Sequence, residues 1–237
     1  MKDLTIIYYT SNWLDTHNPY FLANTKKQLL EAAKGLPIIS VSQKPMDFGT
    51  NICVGDIGRS HLNTYRQILV GAKAAKTKYV AMAEDDILYS CDHFHTYLPE
   101  KDKFAYNMSK WSIYTWTKPP TFSFKERKVV NSLIAKRDML VEAMEERFNK
   151  FKGVKDEDIP ISWWGDPGRY EKQLGVSFRE TEEFWSSIPN IVFSHQEAFG
   201  YLKLGNRKRM GSLRTFEIPY WGKAKNVLKL YDKTLGK

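Results

Sequence analysis

Cysteine is scarce in this chain of 237 residues: Cys53 and Cys91 are the two, and they lack metal-ligand spacing. That excludes a disulfide framework and implies free thiols. No apolar run approaches the ~18 residues that a membrane-spanning helix needs. The opening MKDLTIIYYTSN has an apolar stretch too short for a secretory leader and no small-residue cleavage site. It is therefore read as the first strand of a cytoplasmic protein. Internal repeats and low-complexity segments are absent, and no glycine-rich phosphate loop follows the first apolar run, where Thr10-Ser11-Asn12-Trp13 stands instead. This last absence counts against a nucleotidyltransferase built on such a loop, although other metal-dependent nucleotidyltransferases stay open.

What is present is apolar and aromatic material in quantity, 42% and 14% of residues, enough for a sizeable core. Acidic charge is short by nine, and the imbalance is local. From Tyr201 to Lys237 there are ten Lys/Arg against Glu217 and Asp232, so +8 of the net +9 lies in the last 37 residues. Such a field attracts polyanions, and a solvated lysine-rich terminal helix is the plainer alternative. The composition break near residue 200 divides the chain into a body, 1–200, and a basic extension, 201–237.

LTIIYYT (4–10) reads as a buried strand. Asn18 as cap, Pro19 in the first turn and Gly35 as stop frame a helix. LPIISVS (36–42) is a second strand, followed by a loop, and Ser60 opens a long helix over about 60–76 with Leu62, Tyr65, Ile68, Leu69 and Ala72 on one face. KYVAMA (78–83) is a third strand. This β-α-β-α-β order predicts parallel strands with ligand sites at their carboxyl ends. Beyond residue 100, FAYNMS and WSIYTW read as a pair of strands, TKPPTFSFKERK as a loop, VVNSLIAK as a strand, RDMLVEAMEERFNKF as an amphipathic helix and NIVFSHQ as the last strand.

Directly behind KYVAMA stand Glu84, Asp85 and Asp86. Three adjacent acids repel one another unless a cation or water compensates. Carboxylate oxygens at a strand end suit Mn²⁺ or Mg²⁺, which keep positions open for phosphate. A polar strand end running into a turn is the plainer reading. Tyr9, Thr10 and Ser11 at the first strand's end, Gln43 after the second, and Asn63 and Arg66 three apart on the long helix are candidate nucleotide contacts. Arg66 is equally readable as a structural ion-pair partner. His195, just past NIVF, is placed to complete a metal shell or to be an ordinary surface histidine.

The order TIIYYTSN, then SHLNTYRQILVGAKAAKTKYVAMAEDDILYSCDHFHTYL, VVNSLIAKRDMLVEAMEERF, WWGDPGRYEKQLGVSF and IPNIVFSHQ resembles a nucleotide-sugar glycosyltransferase of the A-type fold, in the broad family-2-like group, over about residues 4–196. The resemblance implies an α/β fold: a single Rossmann-like domain with a mostly parallel central sheet flanked by helices, its nucleotide-sugar half in 1–100 and its acceptor half in 101–200. It also implies a metal-dependent transferase, Asp86 and His195 as metal ligands, Glu84 and Asp85 near the nucleotide, and a nucleotide-diphosphate sugar, UDP-linked by expectation, as donor. Asp166 in WWGDPG stands where an inverting enzyme keeps its general base. The family has Gly-Glu-Asp where this chain has Gly-Asp-Pro, so Glu171, Glu182, Glu183, Asp156, Glu157 and Asp158 compete for that role. Trp163 and Trp164 are candidate stacking residues. The aromatics interspersed in the basic extension make a hydroxymethylated base of phage DNA one fitting acceptor, and a lipid-linked or anionic surface glycan another. A non-catalytic nucleic-acid-binding module would need the extension but not the acids.

Overall fold

A computed structural model describes residues 3–124, 126–155, 158–159, 166–195 and 210–234. The expected α/β architecture is the observed one. β1 (Leu4–Thr10), α1 (Trp13–His17), α2 (Pro19–Ala33), β2 (Ile38–Ser42), β3 (Thr50–Cys53), α3 (His61–Ala74) and β4 (Tyr79–Glu84) form the first half. After β4 come β5 (Ile87–Leu88), α4 (Cys91–His95), β6 (Phe104–Asn107), β7 (Lys110–Tyr114), β8 (Phe122–Phe124), a 3₁₀ turn at Val130–Ser132, β9 (Leu133–Lys136) and α5 (Arg137–Lys150). The chain continues through a short helix at Glu171–Leu174, β10 (Thr181–Phe184), β11 (Asn190–Ser194), β12 (Leu213–Thr215), β13 (Glu217–Ile218), β14 (Gly222–Lys223) and a terminal helix at Ala224–Leu228.

The central seven-stranded sheet runs β10-β6-β9-β4-β1-β2-β3, and a second sheet of five strands runs β12-β8-β7-β11-β5. β1 pairs in parallel with β2 and β4, β2 with β3, and β6 with β10, whereas β9 runs antiparallel between β4 and β6. Alternation along β1 splits the core. Ile7 and Tyr9 face α3 and α5, while Leu4, Ile6 and Tyr8 face α2 and α4. The caps act as the sequence implies: Asn18 Oδ1 accepts from Phe21 N at 3.0 Å, and Ser60 Oγ accepts from Asn63 N at 3.0 Å. Gly71 lets α3 approach the sheet, since a Cβ there would lie 2.5 Å from Ile7 Cγ2.

Several expectations need correction. FAYNMS and WSIYTW do supply strands, but β6 joins the central sheet and β7 the second sheet, so they are not a pair. Pairing partners are set by long-range packing, which local alternation does not encode. TKPPTFSFKERK contains β8, and the loop after β2 contains β3. VVNSLIAK begins as the 3₁₀ turn, and only Leu133–Lys136 is strand. β11 is not the last strand, because β12 to β14 follow it. The described part of the basic extension is built into the fold: Ile218, Ala224, Val227 and Leu228 are buried with Phe21 and Phe193. Asn18 Nδ2, Tyr20 Oη and Asn24 Nδ2 donate to the carbonyls of Tyr231, Lys229 and Leu230.

Candidate active site

β4 delivers the three acids to the carboxyl edge of the central sheet, beside the end of β1 with which it is in register, Tyr9 opposite Glu84. Glu84 is held at every polar atom of its side chain. Tyr9 Oη donates to Oε1 at 2.8 Å and Asn131 Nδ2 donates to Oε2 at 2.8 Å. Burial, and then the neighbouring Asp86 charge, push its carboxyl up to about 8, against the pull of those two hydrogen bonds. Asp85 Oδ2 accepts from Thr10 Oγ1 at 2.6 Å, and burial with Asp86 beside it pushes this carboxyl up to about 6.

Asp86 differs from its two neighbours. Its Oδ2 lies 3.6 Å from His195 Nε2, while its Oδ1 is shielded from solvent and accepts no hydrogen bond from the described residues. The approach is built by the second sheet: β5 and β11 run antiparallel, and Phe193 N donates to Asp86 O at 3.0 Å. His195 is buried, with its ring 5.8 Å from Phe21 and 5.6 Å from Tyr231. A buried carboxylate oxygen without a donor, next to an imidazole nitrogen, fits a hard divalent cation such as Mn²⁺ or Mg²⁺. Among the described residues no three His, Cys, Asp or Glu side chains are grouped so as to hold a metal ion. Asp86 and His195 could supply two oxygen or nitrogen donors to such a cation, leaving its other positions to water or phosphate oxygens.

The strand ends around the acids are tied rigidly. Asn12, in the left-handed region at φ 58°, accepts from Gln43 N at 2.8 Å and Lys44 N at 3.0 Å, linking the ends of β1 and β2. Gln67 Nε2 donates to Thr10 O and Val41 O at 2.8 and 2.9 Å, from α3 beneath. Ser11 sits half-buried between these ties. The side chains of Gln43 and Asn63 both donate to Gly58 O, at 2.8 and 3.0 Å, so they fasten the 54–60 loop rather than presenting free amides. Arg66 donates to Asn63 Oδ1 at 2.5 Å and lies over the Phe148 ring at 5.7 Å. Thr10 and Tyr9 likewise point at the acids, as described above.

Asp166 lies at the far side of the 3₁₀ turn from Glu84. Its Oδ1 accepts from Val130 N at 2.5 Å and from Tyr65 Oη at 3.4 Å, and its Oδ2 pairs with Arg169 Nη1 at 3.1 Å. Among its competitors, Glu171 is buried in an ion pair with Arg147 at 2.7 Å, and Glu183 pairs with Lys128 at 3.1 Å. Asp156, Glu157, Trp163 and Trp164 lie outside the described residues.

Sequence reasoning missed Asn131, which sits in an apolar run that reads as uninterrupted strand. It also left Trp13 without a role. Trp13 carries the Arg59 guanidinium over its ring at 4.2 Å and stacks on His17 at 3.5 Å and 12°. Burial pushes the Arg59 guanidinium below its ordinary value while the Asp85 charge opposes that shift, so this aromatic-cation group stands within electrostatic reach of the acids.

No protein-family model matches the sequence, and no curated protein matches it. Similar solved structures include a glycosyltransferase involved in the glycosylation of the major capsid of PBCV-1, 9% identical over 80% of this chain and 91% of that one, with a TM-score of 0.45. Another is a mutant Drosophila β1,4-galactosyltransferase 7 in complex with manganese, UDP-Gal and xylobiose, 11% identical over 90% of this chain and 77% of that one, with a TM-score of 0.43. A third is the apo form of the glycosyltransferase GlyE of Streptococcus pneumoniae, 11% identical over 77% of this chain and 46% of that one, with a TM-score of 0.42. All three are glycosyltransferases, as is the family the sequence resembles, but at these scores the chemistry of this chain rests on its own side chains.

Proposed function

We propose that the chain is a metal-dependent glycosyltransferase that moves a sugar from a nucleotide-diphosphate donor, UDP-linked by preference, to an acceptor hydroxyl. The observation that carries this reading is the Asp86–His195 pair, with a buried, donor-less Asp86 oxygen at the carboxyl edge of the sheet. Asp86 and His195 hold the cation, which when bound supplies Lewis-acid stabilisation of the leaving diphosphate. Asp85, with Thr10 and Ser11, lines the nucleotide side. Gln43, Asn63 and Arg66 support that side by fixing the loop below it.

The transfer is read as inverting. The acceptor oxygen bonds to the anomeric carbon, the bond from that carbon to the diphosphate oxygen breaks, and the acceptor proton passes to a carboxylate. Asp166 is the proposed base. Arg169 pairs with its Oδ2, and the Val130 and Tyr65 donors fix its orientation through Oδ1. For the acceptor, the terminal segment places Tyr231 against His195 while Arg214, Lys223, Lys225, Lys229 and Lys233 stay exposed. Exposed cations on a segment that touches the site suit a polyanion, and a hydroxymethylated base flipped from DNA is the acceptor we favour. Among the described residues no helix is long and apolar enough to cross a membrane.

The test is a thermal-shift and hydrolysis screen of nucleotide sugars with Mn²⁺, run with and without hydroxymethylated DNA. Wild type is expected to gain stability with Mn²⁺ plus one nucleotide sugar, and Asp86→Ala to lose that gain. A wild type that responds to none of the sugars would remove the transferase reading.

A further inference from the structure

The Val130–Ser132 turn touches two carboxylates: Asp166, the proposed base, and Glu84, the neighbour of the nucleotide-side Asp85 and the metal-side Asp86. Val130 N donates to Asp166 Oδ1 at 2.5 Å, and the next residue, Asn131, donates from Nδ2 to Glu84 Oε2 at 2.8 Å. The same Asn131 is held through its backbone, because Tyr89 Oη donates to Asn131 O at 2.9 Å and accepts from Glu84 N at 3.1 Å. Glu84, Tyr89 and Asn131 thus form a closed ring of three hydrogen bonds that grips Glu84 by its main chain and its side chain together. The turn is anchored at its other end by Lys110, a buried lysine on β7 whose Nζ donates to Ser132 Oγ at 3.2 Å and to Arg127 O. Ser132 Oγ in turn donates to Val129 O at 2.9 Å. Asn131, Tyr89 and Lys110 are all at or below 8% exposure, so water does not readily substitute for these bonds.

We infer that Asn131, clamped by Tyr89, is a positioning residue that couples the donor-side acids to Asp166 through one rigid turn. The inference rests on the glycosyltransferase reading of the site. Because adjacent residues of a single turn serve both carboxylates, a shift that frees Glu84 also moves the amide that orients Asp166. Glu84 itself acts as the held wall beside the metal-binding Asp86 rather than as a ligand, because it is gripped through its main chain as well as its side chain.

The experiment uses the full chain with Asn131→Leu, which keeps the shape and removes the amide, and Tyr89→Phe, which removes one hydroxyl and opens the ring. Mn²⁺ binding in the presence of UDP is followed by electron paramagnetic resonance without turnover, and kcat and donor KM are measured at saturating Mn²⁺. Asn131→Leu is expected to raise the half-saturating Mn²⁺ concentration at least tenfold and to keep kcat at least tenfold low even when Mn²⁺ saturates. Tyr89→Phe should move both in the same direction by a few-fold, and it decides the matter alone if Asn131→Leu does not fold. Folded variants with wild-type Mn²⁺ binding and kcat overturn the inference. So does a kcat fully restored by Mn²⁺, which would confine Asn131 to Glu84. A wild type that binds neither Mn²⁺ nor UDP overturns the reading of the site itself and this inference with it, whereas a wild type that binds both beside unaffected variants overturns this inference only.

Discussion

Glu84, Asp85 and Asp86 are adjacent in the chain yet do three different things. Glu84 is saturated with donors, Asp85 is bonded to Thr10, and Asp86 keeps an oxygen that no described residue donates to. Burial raises the cost of charging such a cluster, so the protein carries an electrostatic strain that a bound cation would relieve. His93 shows the same burial effect on a base. It is fully buried between Tyr89, Phe94 and Phe184, with Nδ1 3.1 Å from Asn107 Nδ2, and burial, aided by the Lys110 charge, holds its imidazole down to about 3. The unfolded chain would protonate this group near its ordinary value of about 6.5. Its folded pKa lies lower, so its contribution to stability is complete above about 6.5 and is lost as pH falls towards 3. The melting temperature of wild type should therefore drop more steeply between pH 7 and pH 4 than that of His93→Gln. Parallel curves would show that His93 is not the group responsible.

At the scale of elements, capping and close approach decide most of what formed. β1, α2, β2, α3 and β4 were legible because each carries a local signal: an apolar β-branched run, Asn18 with Pro19, or Ser60 ahead of a 3.6-residue stripe. The seven-residue connection from β2 to β3 was not, since parallel neighbours usually need a longer crossover. Gly49 makes it possible. It sits at φ 60°, and a Cβ there would fall 2.5 Å from Ile38 O. Gly49→Ala is expected to destabilise the chain by about 1–3 kcal/mol, read as a fall in the urea midpoint with an unchanged slope. The site was partly legible for a similar reason. Acids at the end of an apolar strand announce themselves, as does a histidine just past another strand. Asn131 gives no such signal, because its importance comes from a turn whose partners are remote in the chain: Tyr89 stands 42 residues before Asn131, and Asp166 stands 36 after Val130. Gln43 and Asn63 were found by type but not by task, since only the folded loop shows that both amides converge on Gly58 O.

At the scale of the whole molecule, charge and fold are segregated within one segment. Residues 210–234 bury Ile218, Ala224, Val227 and Leu228 inward, and Trp221 Nε1 donates to Pro189 O at 2.7 Å, while their lysines face outward. The cations of residues 210–234 are therefore carried on a segment docked into the fold, with Tyr231 against His195, and they can be changed without disturbing the core. Lys225 and Lys229 are both exposed and form no ion pair among the described residues. If this face tracks a phosphate backbone, Lys225→Glu with Lys229→Glu should weaken DNA binding and flatten the dependence of log K on log salt by about 0.7–0.9 for each phosphate no longer neutralised. Melting temperature and the Mn²⁺-dependent response to nucleotide sugar should stay at wild-type values. An unchanged salt slope beside an intact Mn²⁺ response would separate the two halves of the proposal: the acids would keep their donor chemistry, and the acceptor would have to be an uncharged hydroxyl rather than one borne on a polyanion.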